Sequence, residues 1–135
     1  MVLSGALVAG THAGAVYNTF PLMGNRFIPD EWLAMQPMWR NFFENHSTIQ
    51  FDHRLMAWVL FFLVPVYCWR ARTVAPWSRN AAFLVLGMLG VQLALGISTL
   101  LQHVPLSLAA THQAGAMVLF ALLLRLNHVV RLQPG

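Results

Sequence analysis

The chain has 135 residues, of which 58% are hydrophobic and only 9% charged, which excludes a soluble domain of ordinary surface composition and makes a membrane protein the default class. Its formal net charge of +4 comes entirely from arginine, and no basic stripe with interleaved aromatics accompanies it, so nucleic-acid binding is set aside. The single cysteine, Cys68, excludes an internal disulfide and reads as a small buried hydrophobe.

In chain order, the first apolar segment is residues 1–17. At 1.5 Å per residue it would rise about 26 Å, slightly short of the hydrocarbon thickness. It competes with a signal peptide whose cleavage site would be Ala13-Gly14-Ala15. No Lys or Arg precedes it, and polar Thr11 and His12 interrupt it, so a span is expected. Gly10 and Gly14, extended by Ala6, form a G-x-x-x-G seam suited to a close helix contact.

Residues 18–50 are too long for a simple turn and carry Phe27, Trp32, Trp39, Phe42 and Phe43. One or two short helices starting near Pro29 and Pro37, lying in the membrane interface, are expected there. Asn45-His46-Ser47 matches a glycosylation sequon, a pattern short enough to arise by accident.

Residues 51–70 form the second expected span, with Pro65 placed to loosen it by removing a backbone donor. Between residues 80 and 124 there is no Asp, Glu, Lys or Arg. The Val104-Pro105 pair divides this stretch into spans over residues 80–102 and 106–126. The expectation is a single-domain, all-α membrane protein, a four-transmembrane-helix bundle with a long outer interfacial loop over residues 18–50.

Charge sets the orientation. Asp30, Glu31, Glu44 and Asp52 lie in or beside the first connection, whereas Arg70, Arg72 and Arg79 fill the second without an acid, and Arg125 and Arg131 fill the tail. Excess arginine near span ends marks the cytoplasmic or matrix side. The long connection and the turn at residues 102–106 therefore face outward.

The six histidines sort by depth in this topology. His53 falls about one turn inside the second span and His112 one to two turns inside the fourth, counted from the outer side. An ionisable residue inside a membrane is a functional candidate by default. Two imidazoles at one level on different helices form an arrangement that clamps a metal, and neutral imidazole suits haem iron. Ala109, Gly115, Ala116 and Leu119 share the face of His112 at helical spacing, leaving room for a wide porphyrin plate; Ala57, Leu60 and Val64 flank His53. Against this stands close helix packing, which His112 itself would obstruct.

Arg54 either pairs with a haem propionate or reaches the headgroups beside Asp52. His12, His46 and His103 read as interfacial. His128, about 24 Å beyond His112 along a helix, belongs to the inner side, so one haem is expected. Gln92, near mid-membrane, reads as an interhelical hydrogen-bonding residue. No nucleophile with an adjacent base, Gly-rich phosphate loop or cysteine cluster is present, and no catalytic residue is assigned.

"GALVAGTHAGAVYNTFPLMG", "QFDHR" and "LGISTLLQHVPLSLAATHQAGA", in this order and at these separations, resemble the second half of the haem A synthase family of bacteria and mitochondria. The resemblance implies a four-helix bundle with His53 and His112 on its second and fourth helices. It also implies resident haem b, haem O as the family's substrate, and oxidation of the haem O methyl group to a formyl, in haem A biosynthesis and cytochrome oxidase assembly. It places the chain in a bacterial plasma membrane or a mitochondrial inner membrane. Where the family's first half carries a glutamate before its His-Arg pair, this chain has Gln50; His12 also departs from the family pattern.

The family protein has about eight spans, so a fragment, a subunit needing a first-half partner and a self-associating bundle all remain open. Beside an oxidoreductase of the haem A synthase type stand two alternatives: a non-catalytic bis-His membrane cytochrome carrying electrons, and a zinc or copper site built from the outward histidines.

Overall fold

In the computed structural model, which describes residues 1–74 and 76–131, the chain is all-helical, with five α-helices and two 3-10 turns and no strand among the described residues. The helices are α1 (Val2–Gly10), α2 (Asn41–Glu44), α3 (His46–Ala71), α4 (Pro76–Leu101) and α5 (Leu106–Arg131). Three of them, α3, α4 and α5, are long and apolar enough to cross a membrane. Each has 26 residues, a rise of about 39 Å that exceeds the hydrocarbon thickness.

The first apolar segment departs from expectation. Its helix covers nine residues, about 14 Å, less than half of a bilayer core. Thr11 turns its hydroxyl back onto the Leu7 carbonyl at 2.8 Å, and His12 takes a left-handed backbone at φ 57° before a 3-10 turn over Ala13–Ala15. The Gly10–Gly14 seam therefore does not lie on one helix. Gly10 has open space around it, and Gly14 instead faces Val104.

The long helices close on each other where α3 ends and α4 begins. Val64, Cys68 and Ala71 of α3 meet Ala81, Ala82 and Val85 of α4 and Leu126 of α5. Small side chains allow this approach, and Ser78 donates to the Ala71 carbonyl at 2.7 Å. Cys68 is buried and free, as its apolar setting required.

The opposite end is held by polar side chains. Helix α3 begins five residues earlier than expected because Asn45 caps it, accepting from the Thr48 N–H at 3.2 Å. The same amide donates to the Glu31 carbonyl at 2.7 Å and to Asn41 Oδ1 at 3.0 Å, so the sequon asparagine is a buried helix cap. Of the two helix starts expected in the connection, only the one after Pro37 forms, as a 3-10 turn over Met38–Arg40 running into α2. Tyr17 donates to Glu31 Oε2 at 2.5 Å. This bond, with burial and the Glu31 charge behind it, raises the Tyr17 phenol above its usual value, and the same bond lowers the Glu31 carboxyl.

Gln50 joins the two sides of this end. It accepts from the Tyr17 N–H at 3.2 Å and donates to the carbonyls of Gly14 at 3.1 Å and Tyr17 at 3.0 Å, with 3% of its surface exposed. Only an amide supplies both a donor and an acceptor here; an ionised carboxylate cannot donate. Gln50→Glu is therefore expected to remove both donated bonds, leaving the Tyr17 carbonyl to Arg54 and the Gly14 carbonyl to the longer Asn18 contact at 3.5 Å, at a cost of about 1–3 kcal/mol, and to lower the unfolding temperature of the detergent-solubilised protein. An unchanged thermal transition would contradict this role.

Candidate functional site

Because α4 runs back between them, α3 and α5 both start at the polar end of the bundle. His53 is seven residues into α3 and His112 six into α5, depths of about 10 Å and 9 Å. Each imidazole is thus borne about two turns into its helix.

Each ring meets a glycine and a polar side chain of a neighbouring helix. His53 Nδ1 lies 3.0 Å from Ser4 Oγ on α1, and the Ser4 hydroxyl also contacts the Met1 carbonyl at 2.8 Å. A Cβ placed on Gly5 would stand 3.4 Å from His53 Cε1, an ordinary contact. His112 is tighter: a Cβ on Gly96 of α4 would come within 2.9 Å of its Cε1. The ring fits against α4 because position 96 has no side chain.

Gln92 lies one helical turn before Gly96, hence on the same face of α4. With its amide nitrogen turned to α5, it donates to His112 Nδ1 at 3.2 Å and to the His112 carbonyl at 3.1 Å, while its oxygen accepts from the Ala116 N–H at 3.1 Å. Gly115 makes this reach possible, since a Cβ there would overlap the end of the Gln92 amide at 1.9 Å. The small residues around His112 thus admit a polar side chain as well as relieving crowding.

Arg54 donates through Nη1 to the carbonyls of Thr19 at 3.0 Å and Leu22 at 3.2 Å, and through Nη2 to that of Tyr17 at 2.8 Å. It anchors the start of the long connection to α3. It does not pair with Asp52: residues two apart on a helix point to different faces. The ion pairs among the described residues are Arg26–Asp30 and Arg40–Glu44.

His12, His46, His103 and His128 are exposed, and no group of three or more His, Cys, Asp or Glu side chains capable of holding a metal forms among the described residues. The zinc or copper reading thus lacks a ligand cluster. Two imidazoles with nothing further suit an iron whose other positions are filled by a macrocycle. Ser4, Gly5 and Gly96 were not singled out by sequence, because their importance depends on which helices become neighbours. The four-residue spacing of Gln92 and Gly96 was the one readable signal.

Residues 1–124 match the family COX15-CtaA, described as a cytochrome oxidase assembly protein. The chain belongs to that family. It is 56% identical over 135 residues to a protein named Heme A synthase from Nitrosospira multiformis, covering 98% of this chain and 38% of the relative. To the Heme A synthase of Nitrosomonas eutropha it is 52% identical over 122 residues, 89% of this chain and 34% of the relative. With Heme A synthase COX15 of Arabidopsis thaliana it shares 47% identity over 131 residues, 96% of this chain and 29% of the relative. The chain therefore spans about a third of the length of these curated relatives. No solved structure matches it. Family membership and the three long apolar helices together make it an integral membrane protein.

The glycine distances order two substitutions. Gly96→Ala forces the His112 ring to move, whereas Gly5→Ala meets His53 at ordinary contact distance. In membranes from haem-supplied cells, the alanine at 96 is expected to reduce the Soret absorbance of the purified protein several-fold and that at 5 far less, with far-ultraviolet circular dichroism unchanged in both. Equal effects would contradict the packing described.

Proposed function

We propose that this chain is the haem b-binding half of a haem A synthase, with His53 and His112 as the axial ligands of one haem near the outer side of a bacterial plasma membrane or mitochondrial inner membrane. The observation that supports the reading is a pair of imidazoles, each about two turns into its helix, each with Nδ1 engaged by a neighbouring helix and each beside a glycine. A ring held through Nδ1 presents Nε2, the nitrogen a haem iron would take. The donor set and the small residues beside His112 therefore fit the group.

Haem b, when bound, supplies a one-electron redox centre. The protein's own residues hold the rings in place and keep them in an apolar setting. Arg54 uses three of its five N–H donors on the loop carbonyls, and its remaining donors are assigned to a propionate. The architecture that completes this reading is a four-span bundle in which α1 is part of the first span, with residues 18–50 on the outer face. Its activity, oxidation of the haem O methyl group to a formyl, is assigned to the whole enzyme. There this chain works with a first-half partner or with a second copy of itself.

His53→Ala and His112→Ala are each expected to shift or abolish the Soret band of the purified protein; an unchanged spectrum in both removes the assignment. Co-expression with a haem O source, with and without a first-half partner, then separates enzyme from carrier. Haem A detected by chromatography in the partnered sample supports the synthase reading. A reducible haem with no haem A under any partnering supports the bis-His electron carrier instead.

A further inference from the structure

Both rings of the candidate site have their Nδ1 atoms taken by side chains from helices other than their own, Ser4 for His53 and Gln92 for His112. Gln92 is 7% exposed, so an amide with so little access to water is held where its partners must come from protein. Neither ring's Nε2 makes a hydrogen bond among the described residues.

The two contacts differ in chemistry. The Ser4 hydroxyl has one proton, and the Met1 carbonyl 2.8 Å away, which can only accept, takes it. Ser4 Oγ then meets His53 as an acceptor, which puts the ring proton on Nδ1 and leaves Nε2 with its lone pair. Gln92 with its nitrogen toward His112 does the reverse: it donates to Nδ1, so the proton of that neutral ring sits on Nε2. His53 is thus preset as an Nε2 ligand, whereas His112 becomes one only when its proton moves to Nδ1. The amide can follow by turning its oxygen to that proton, giving up both its bond to the His112 carbonyl and the one it accepts from the Ala116 N–H.

We propose that Ser4 and Gln92 are positioning residues that set the tautomers of the two axial imidazoles, Ser4 holding His53 ready for iron and Gln92 switching His112 between a resting and a ligating form by turning its amide. This rests on the bis-histidine reading above. Outer partners of this kind fix ring orientation and ligand basicity, and their loss typically weakens metal affinity about 10–100-fold.

The test uses Ser4→Ala and Gln92→Met in the full chain, with Gly115→Ala as a second route that displaces Gln92 without altering it. In the haem-free protein carrying 15N-labelled histidine, with signals assigned through His53→Ala and His112→Ala, the expected spectrum shows His53 protonated on Nδ1 and His112 on Nε2. Ser4→Ala should shift only the His53 signals; Gln92→Met and Gly115→Ala should shift only those of His112. In the loaded protein each is expected to raise the haem dissociation constant at least tenfold and to move the midpoint potential, with helix content unchanged. If tautomer signals, affinity and potential all stay put while His53→Ala and His112→Ala still abolish the Soret band, the positioning roles are wrong and the ligand assignment stands. If those two histidine variants leave the band intact, both proposals fall together.

Discussion

Two neutral imidazoles inside an apolar bundle bring four ring nitrogens into a medium that offers no water, and each nitrogen without a partner costs free energy. Much of the polar end of this bundle is arranged around that constraint. Ser4 and Gln92 take up one nitrogen of each ring, and Gly5, Gly96 and Gly115 supply the space that lets helices and amide come close enough to do so. The remaining nitrogens, one per ring, are the pair for which a shared iron atom is proposed.

The same constraint explains why the two ends of the bundle are built differently. At the end where α3 meets α4, Cys68, Ala71, Ala82 and Val85 pack as small apolar side chains, and the Ser78 hydroxyl donates to the Ala71 carbonyl. At the polar end the chain has to leave α1, cross the end of the bundle and enter α3, exposing backbone carbonyls wherever it is not helical. Gln50, Asn45, Asn41 and Arg54 satisfy these groups side chain by side chain. The buried amides outnumber the charges here because an amide can donate and accept at once without the desolvation cost of an ion.

Much of this was legible from the residues. The three long helices follow from apolar runs free of charge, and α5 begins at Leu106 because Pro105 can stand just before or at a helix start but not within one. His53 and His112 could be paired by depth alone, since counting along helices needs no tertiary information. The boundaries of α3 were less readable, because its start is set by Asn45, whose capping role is indistinguishable in sequence from a surface sequon. The first span was overextended because its apolar composition hides a break at Thr11 and His12 that depends on local hydrogen bonding. Asp52 and Arg54 looked like partners by adjacency, although helical geometry separates them. The roles of Ser4 and Gly5 could not be read at all, and that of Gly96 only through its spacing from Gln92, since they come from contacts between helices far apart in the chain.

The claim that matters most is that one iron joins α3 to α5 through Nε2 of both rings. Near-infrared magnetic circular dichroism of the ferric, haem-loaded protein tests it most directly, because the low-spin charge-transfer band reports the chemical identity of both axial ligands. A bis-imidazole band, lost when either His53 or His112 is replaced, is the predicted result. A high-spin spectrum, or a band of any other ligand pair in the unaltered protein, would contradict it.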